Sequence, residues 1–151
     1  SMADVHFSDF GEILRRNALV LLVSFLFALF YRHGGMLLVL AWNASKWGVI
    51  FSYVARMASQ DEGIFLPIYL GRTFVCIIPH LFMEALAYIF VAMSGVFLSK
   101  GLGKYALNSE EFTQVGGAVL RIAALSMVIL VVAGALEAYL APVLVSALFR
   151  Y

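Results

Sequence analysis

Long apolar runs dominate the chain, and short polar segments separate them. Apolar residues fill most of positions 17–31, 35–54, 64–98 and 116–139, and they do not alternate with polar residues. A helix needs roughly 20 mostly apolar residues to cross ~30 Å of hydrocarbon, whereas a membrane β-strand alternates in polarity over about ten residues. The pattern therefore predicts an all-α fold, a polytopic helical membrane protein.

Polar residues, glycines and prolines set the predicted helix boundaries. The segment 32–35, Arg-His-Gly-Gly, predicts a reversal, because glycine adopts positive φ without strain. As one helix, the run 64–98 would be ~52 Å long, too long for one crossing, and Pro79 suits a first helical turn. We therefore predict four membrane-crossing helices plus one interfacial or re-entrant half-helix before Pro79, in a single domain over residues 1–151. The predicted helices are 10–31, 35–55, 64–78, 79–98 and 109–140, with a short tail at 142–150.

Composition supports the membrane assignment and excludes several functional classes. Hydrophobic residues make up 64% of the chain against a typical ~45–50%, and charged residues make up 13% against ~25%. The mean hydropathy is +0.97. These values exclude a water-soluble enzyme and a disordered tail, and a net charge of +1 offers no basic surface for nucleic acid. The lipid bilayer is the expected partner, the cell membrane the expected location, and a homo-oligomer or membrane complex remains open.

Ionisable and amide side chains inside the apolar runs are the candidate functional residues, because a central Asp, Lys or Arg costs ~2.5–3.5 kcal/mol on insertion scales. His80 and Glu84 lie four residues apart and therefore on one helix face. Glu137 lies near the end of the last crossing helix. Since consecutive crossings run antiparallel, Glu137 should lie level with His80 and Glu84. The predicted polar seam comprises His80, Glu84, Glu137, Asn43, Arg72 and Lys46.

Three interpretations of this seam remain open. In a structural interpretation, Glu84 and Glu137 pair with Arg72 or Lys46 and fix the helix register. In a second interpretation, the seam is a path for protons, ions or a small solute, because buried His and Glu residues often form such paths. In a third, His80, Glu84 and Glu137 bind a divalent, zinc-like metal with open positions. The last would make the chain an intramembrane metal-dependent hydrolase, in which Asn43 positions the substrate.

Small residues predict close helix packing. Ala44, Gly48 and Ser52 recur every four residues and would let a neighbouring helix approach, within one protomer or across a dimer seam. Gly134 lies on the face of Glu137 and would let another helix approach that acid. Gly95 lies among small residues in the predicted helix 79–98. The single Cys76 excludes an internal disulfide and a thiolate zinc site.

Several segments, in order, resemble one family. The segment FYRHGGMLLVLAWNASKWGVIFSYV is similar to the Gly-rich turn and WNAS segment of the stage II sporulation protein M family, particularly of its archaeal members. IIPHLFMEALAYIFVAMSGVFL resembles its Pro-His-Gly-x-x-Glu span, and ALEAYLAP its closing Glu-x-x-x-x-Pro helix end. FGEILRRNALVLLVSFLF resembles its Ile-x-x-Asn-Asn entry, with Arg16 in place of the first Asn and Asn17 matching the second. The other matching residues are Asn43, Pro79, His80, Glu84, Gly95, Glu137 and Pro142, whereas Leu81 replaces a glycine.

The resemblance implies a multi-pass helical membrane protein with one further N-terminal span. Ser1-Met2 resembles a remnant of cloning, and we therefore expect that an upstream segment is missing. In sporulating bacteria the family implies a scaffold for a peptidoglycan-degrading engulfment complex, of which only a general scaffold or transport-related role would transfer to an archaeal member. The leading hypothesis is a non-enzymatic scaffold or permease-like subunit that requires no cofactor. A proton- or ion-coupled solute transporter and the metal-dependent hydrolase are the alternatives.

Overall fold

The computed structural model describes residues 2–62 and 65–148, and all regular elements in these two ranges are helical. This confirms the predicted all-α class. The elements are α1 (Met2–Glu62), α2 (Leu66–Lys104), α3 (Glu110–Ala135), a π-helical turn (Leu136–Leu140) and α4 (Ala141–Leu148). Three stretches within the described residues are long and apolar enough to cross a membrane: Phe10–Tyr53, Leu66–Lys104 and Glu110–Leu148.

A reversal at Arg32 divides α1 into a first arm, residues 2–31, and a second arm, residues 33–62. Arg32 has φ 53° and ψ −130°, outside the helical region. Gly35 lies so close to the first arm that a Cβ there would come within 2.0 Å of the Phe27 carbonyl oxygen. The reversal occurs in the predicted segment, but the positive φ falls on Arg32. Gly35 is needed for its lack of a side chain at the close approach.

The first arm and α2 run parallel to each other with a constant register of 67 residues. The side chain of Asn17 contacts Glu84, and that of Arg32 contacts Ser99, both pairs being 67 apart. Between them, a Cβ at Gly95 would lie 3.1 Å from the Cβ of Ala28, again 67 residues away. A parallel pair is the expected result when the second arm returns the chain to the level where the first arm began.

Helices α2 and α3 form an antiparallel hairpin. Gly101, near the end of α2, packs against Val115, near the start of α3. Ser109 caps α3, since its Oγ accepts a hydrogen bond from the Phe112 N–H at 3.1 Å. Farther along, Leu130 is fully buried in a core cluster with residues of the first arm and α2. The cluster consists of Leu21, Ala87, Tyr88, Val91 and Leu130.

The two predicted helix boundaries that lie at prolines differ from the structure. Pro79 lies inside α2, which continues without interruption from Leu66 to Lys104, so no half-helix separates before it. Proline is tolerated inside apolar helices when neighbouring groups satisfy the freed carbonyl. Pro142 does not end the last helix, because the π turn precedes it and α4 continues to Leu148. Residue 64, where the half-helix was predicted to begin, and residues 149–150 of the predicted tail lie outside the described residues.

Candidate functional site

Glu84 is the centre of the polar site. Its side chain lies on α2, only 2% exposed, among helices that are otherwise apolar. The Asn17 amide of the first arm donates a hydrogen bond to Glu84 Oε1 at 2.5 Å. A carboxyl group buried in an apolar interior is costly unless it is hydrogen-bonded, and Asn17 supplies that partner.

His80 lies one helical turn before Glu84 and is 4% exposed. Its ring meets that of Trp47 on the second arm edge to face, with the two ring centroids 6.2 Å apart. His80 and Glu84 are therefore both buried on α2, one against the second arm and the other against the first.

Glu137 lies in the π-helical turn and is half-buried. A π turn widens the helix by one residue and often occurs at functional sites. Glu137 is close enough to act electrostatically on Glu84. The common level of the two acids, which the antiparallel arrangement predicts, stays a prediction.

Two cations surround this pair of acids. Arg16 acts electrostatically on both Glu84 and Glu137, and Lys46 acts on Glu84. Both cations are exposed. Arg72 lies twelve residues before Glu84 on the same helix, or ~18 Å along its axis. The pairing of the two acids with Arg72 or Lys46 stays a prediction.

A cleft of about 310 Å³ opens beside Glu84, between the second arm and α2. Glu84, Asn43, Trp47 and Tyr88 line it together with aliphatic residues. Asn43 is half-buried, and its amide donates to the Val39 carbonyl of its own helix at 3.0 Å. The side-chain carbonyl of Asn43 is a further acceptor at this cleft.

Buried hydroxyl groups continue from Glu84 towards the Arg32 end of the bundle. Tyr88 follows Glu84 by one turn and is 4% exposed. By the register of 67, Ser24 on the first arm is level with Val91 of α2; Ser94 of α2 lies one turn beyond. Ser126 of α3 lies one turn from Leu130, at about the same level. The hydroxyls of Ser24, Ser94 and Ser126 are buried, and each donates to a carbonyl of its own helix.

The predicted metal set does not assemble. Among the described residues, no three His, Cys, Asp or Glu side chains form a group that could hold a metal ion. His80, Glu84 and Glu137 therefore lie in one region without forming a ligand set. The imidazole of His80 contacts the Trp47 ring, whereas the carboxyl group of Glu84 accepts a hydrogen bond from Asn17.

The predicted packing residues divide into two groups. Gly95 and Gly134 are buried between helices: a Cβ at Gly95 would lie 2.6 Å from the Phe25 carbonyl oxygen, and one at Gly134 would lie 3.4 Å from the Phe10 ring. Ala44, Gly48 and Ser52 are all exposed, although Ala44 also lines the cleft beside Glu84. Packing of this stripe, within one protomer or across a dimer seam, stays a prediction.

Asn17 and Arg16 are the site residues absent from the predicted polar seam. Both stand where the first arm changes from polar to apolar residues, which is typical of a headgroup-level position. The match of Asn17 to the family pattern is the one sequence signal that indicates a role for this residue. Its pairing with Glu84 depends on the register between two helices that are not adjacent in the chain.

A sequence model of the stage II sporulation protein M family matches residues 2–142. The match covers nearly the whole chain, and the chain belongs to this family. Comparisons with curated proteins and with solved structures each gave no match.

Proposed function

We propose that the chain is a non-enzymatic, permease-like subunit of the cell membrane that conducts protons through its bundle by way of Glu84. The observation that carries this proposal is a buried acid followed by buried hydroxyl groups along the interior. The proposal includes Glu84 as the proton carrier, Glu137 as a second acceptor and His80 as the gate at the mouth of the path.

The proposal includes four membrane crossings. The candidate span Phe10–Tyr53 would be ~66 Å long if straight, more than twice the hydrocarbon thickness, but it reverses at Arg32. Each arm then supplies one crossing, and α2 and α3 supply the other two. In this arrangement Arg32 and Lys104 lie at one headgroup region, and Arg15 and Arg16 lie at the opposite one, where exposed arginines are tolerated.

The spacing of the polar groups supports a path across the bundle. Glu84, Tyr88 and Ser94 follow one another along α2 at intervals of four and six residues, or ~6–9 Å. Ser24 and Ser126 lie between the last two by helix register. A hydroxyl that donates to its own helix retains lone pairs that can accept a proton or a water hydrogen. Short water-filled gaps would complete such a relay.

A scaffold is the second candidate, and the outward stripe at Ala44 and Gly48 favours it. No atom lies within 4 Å of a Cβ built at Gly48, so a helix of another membrane protein or of a second copy could approach closely there. In this case the Asn17–Glu84 bond would serve only to hold the bundle together.

Proton flux into liposomes separates these two functions. The purified chain is reconstituted with a trapped pH-sensitive dye, and a potassium diffusion potential drives proton entry. We expect the unmodified chain to raise the flux clearly above that of protein-free liposomes, and Glu84→Gln to return it to that background. Glu110→Gln is the matched control, because Glu110 is an exposed acid in the first turn of α3.

The absence of flux above background in the unmodified chain contradicts the proposal. So does equal flux in Glu84→Gln and Glu110→Gln. Unchanged flux together with a lowered melting temperature of Glu84→Gln would instead support the scaffold.

A further inference from the structure

A groove of about 420 Å³ runs between the two arms of α1, on the opposite side of Asn43 from the Glu84 cleft. We call it the hairpin groove. Its lining is aliphatic and aromatic except for Asn43 and Lys46. The residues that define it are Leu19, Val23, Phe27, Leu38, Trp42 and Lys46.

The groove has one apolar end and one charged end. It begins near Phe27, beside the reversal at Arg32, and extends ~12 Å along the first arm to Leu19. Lys46 lies at the Leu19 end and is exposed, as are Arg15 and Arg16 within one turn of Leu19. Exposed arginines are costly in hydrocarbon, so this end belongs at a headgroup region.

We propose that the hairpin groove binds an acidic phospholipid of the surrounding bilayer. One acyl chain lies along the apolar walls from Leu19 to Phe27, and the phosphate accepts hydrogen bonds from the Lys46 ammonium. The groove shares Asn43 with the Glu84 cleft, and Lys46 also acts on Glu84, but lipid preference and proton flux are measured separately, so either result can fail without the other.

Size and charge together favour a lipid over a protein helix. A helical segment 12 Å long and ~10 Å across occupies ~900 Å³, about twice the volume of the groove. An acyl chain is much thinner. Every neighbouring lipid supplies such a chain, so the apolar walls alone select no headgroup. Lys46 is therefore the group that makes the site prefer an anionic lipid.

The two tryptophans of the chain provide a direct test, because Trp42 lines the hairpin groove and Trp47 lies at the Glu84 cleft. Trp47→Phe leaves Trp42 as the one tryptophan, and the substituted side chain at position 47 keeps an aromatic ring against His80. This protein is reconstituted in phosphatidylcholine vesicles that contain bromine-labelled lipid, which quenches nearby tryptophan fluorescence. Brominated phosphatidylglycerol is compared with brominated phosphatidylcholine at equal mole fractions.

We expect phosphatidylglycerol to quench Trp42 at about one-fifth of the mole fraction that phosphatidylcholine requires. This fivefold preference corresponds to ~1 kcal/mol for one cation at an anionic headgroup. Lys46→Gln removes the preference, Lys46→Arg keeps it, and Lys100→Gln keeps it because Lys100 lies near the opposite end of the bundle. Val23→Phe, which fills the groove with Lys46 intact, also removes the preference.

Equal quenching of Trp42 by the two lipids overturns the proposal. A preference that survives both Lys46→Gln and Val23→Phe also overturns it, because bulk attraction of anionic lipid to the protein would then explain the effect. Should Lys46→Gln fail to fold, the Val23→Phe comparison decides on its own.

Discussion

The side-chain amide of Asn17 donates a hydrogen bond to the carboxyl group of Glu84 across two parallel helices. The two residues are 67 positions apart, and the whole second arm of α1 lies between them in the chain. This one contact joins the only acid inside α2 to the first arm of α1. It explains how a carboxyl group that is 2% exposed can be kept in an apolar bundle.

The energy of that contact is measurable by a double-mutant cycle. We predict a coupling of about 0.6–1.7 kcal/mol between Asn17→Leu and Glu84→Leu, from the mean to the largest value typical of hydrogen bonds between membrane helices. Unfolding free energies in mixed micelles would supply the four values. The control cycle pairs Asn43→Leu with Glu84→Leu, because the Asn43 amide donates to its own helix. Equal coupling in the two cycles would contradict the assignment of Asn17 as the partner of Glu84.

Gly95 sets the distance between the first arm and α2. A Cβ at this position would lie 2.6 Å from the Phe25 carbonyl oxygen, a backbone atom that cannot move alone. We predict that Gly95→Ala lowers the unfolding free energy by about 1–3 kcal/mol, the usual cost of overpacking. Gly48→Ala is the matched control, since it meets open space and should leave stability unchanged or raise it by up to ~1 kcal/mol. Similar effects of the two substitutions would show that the helices are not in this close contact.

Neighbouring glycines at the reversal of α1 should behave differently. A Cβ at Gly35 would come within 2.0 Å of the Phe27 carbonyl oxygen, whereas one at Gly34 meets nothing within 4 Å. Thermal unfolding followed by circular dichroism should show Gly35→Ala to be destabilised by at least ~2 kcal/mol, with Gly34→Ala near the unmodified protein. If Gly34→Ala were destabilised and Gly35→Ala were not, the close contact with Phe27 would be assigned to the wrong glycine.

The common level of Glu84 and Glu137 can be tested with cysteines. In a background in which Cys76 is replaced by alanine, we predict that a short thiol crosslinker joins cysteines placed at positions 84 and 137. The control pair is 84 with 110, because Glu110 lies near the opposite end of α3, where that helix meets the end of α2. Efficient crosslinking of the control pair, or its absence in the first pair, would refute the shared level of the two acids.

Sequence patterns predict the parts of this fold that depend on one helix or on adjacent helices. The all-helical class and the reversal near Arg32 follow from apolar run length and local turn chemistry. The Asn17–Glu84 contact does not, because it depends on packing between helices that are not consecutive. That register depends in turn on the missing side chain at Gly95, whose facing residue no pattern identifies.

One further error has the same kind of cause. The pattern around Pro79 predicts a helix start, yet α2 continues through it, because tertiary neighbours can override a local preference. The spacing of Ala44 and Gly48 predicts a packing face, but spacing alone does not say whether the partner helix belongs to the same chain. Both residues are exposed, and the partner of this face stays a prediction.

The claim that Glu84 acts as a proton carrier, and not only as a hydrogen-bond acceptor, is tested most directly by comparing Glu84→Gln with Glu84→Asp in the same liposomes. Glutamine keeps an oxygen that can accept from Asn17 but has no exchangeable acid, whereas aspartate keeps the acid but is one methylene too short for that bond. We predict that Glu84→Gln retains its melting temperature and loses the proton flux, while Glu84→Asp melts lower and keeps a measurable flux. Flux that follows the melting temperature in both variants would contradict the account.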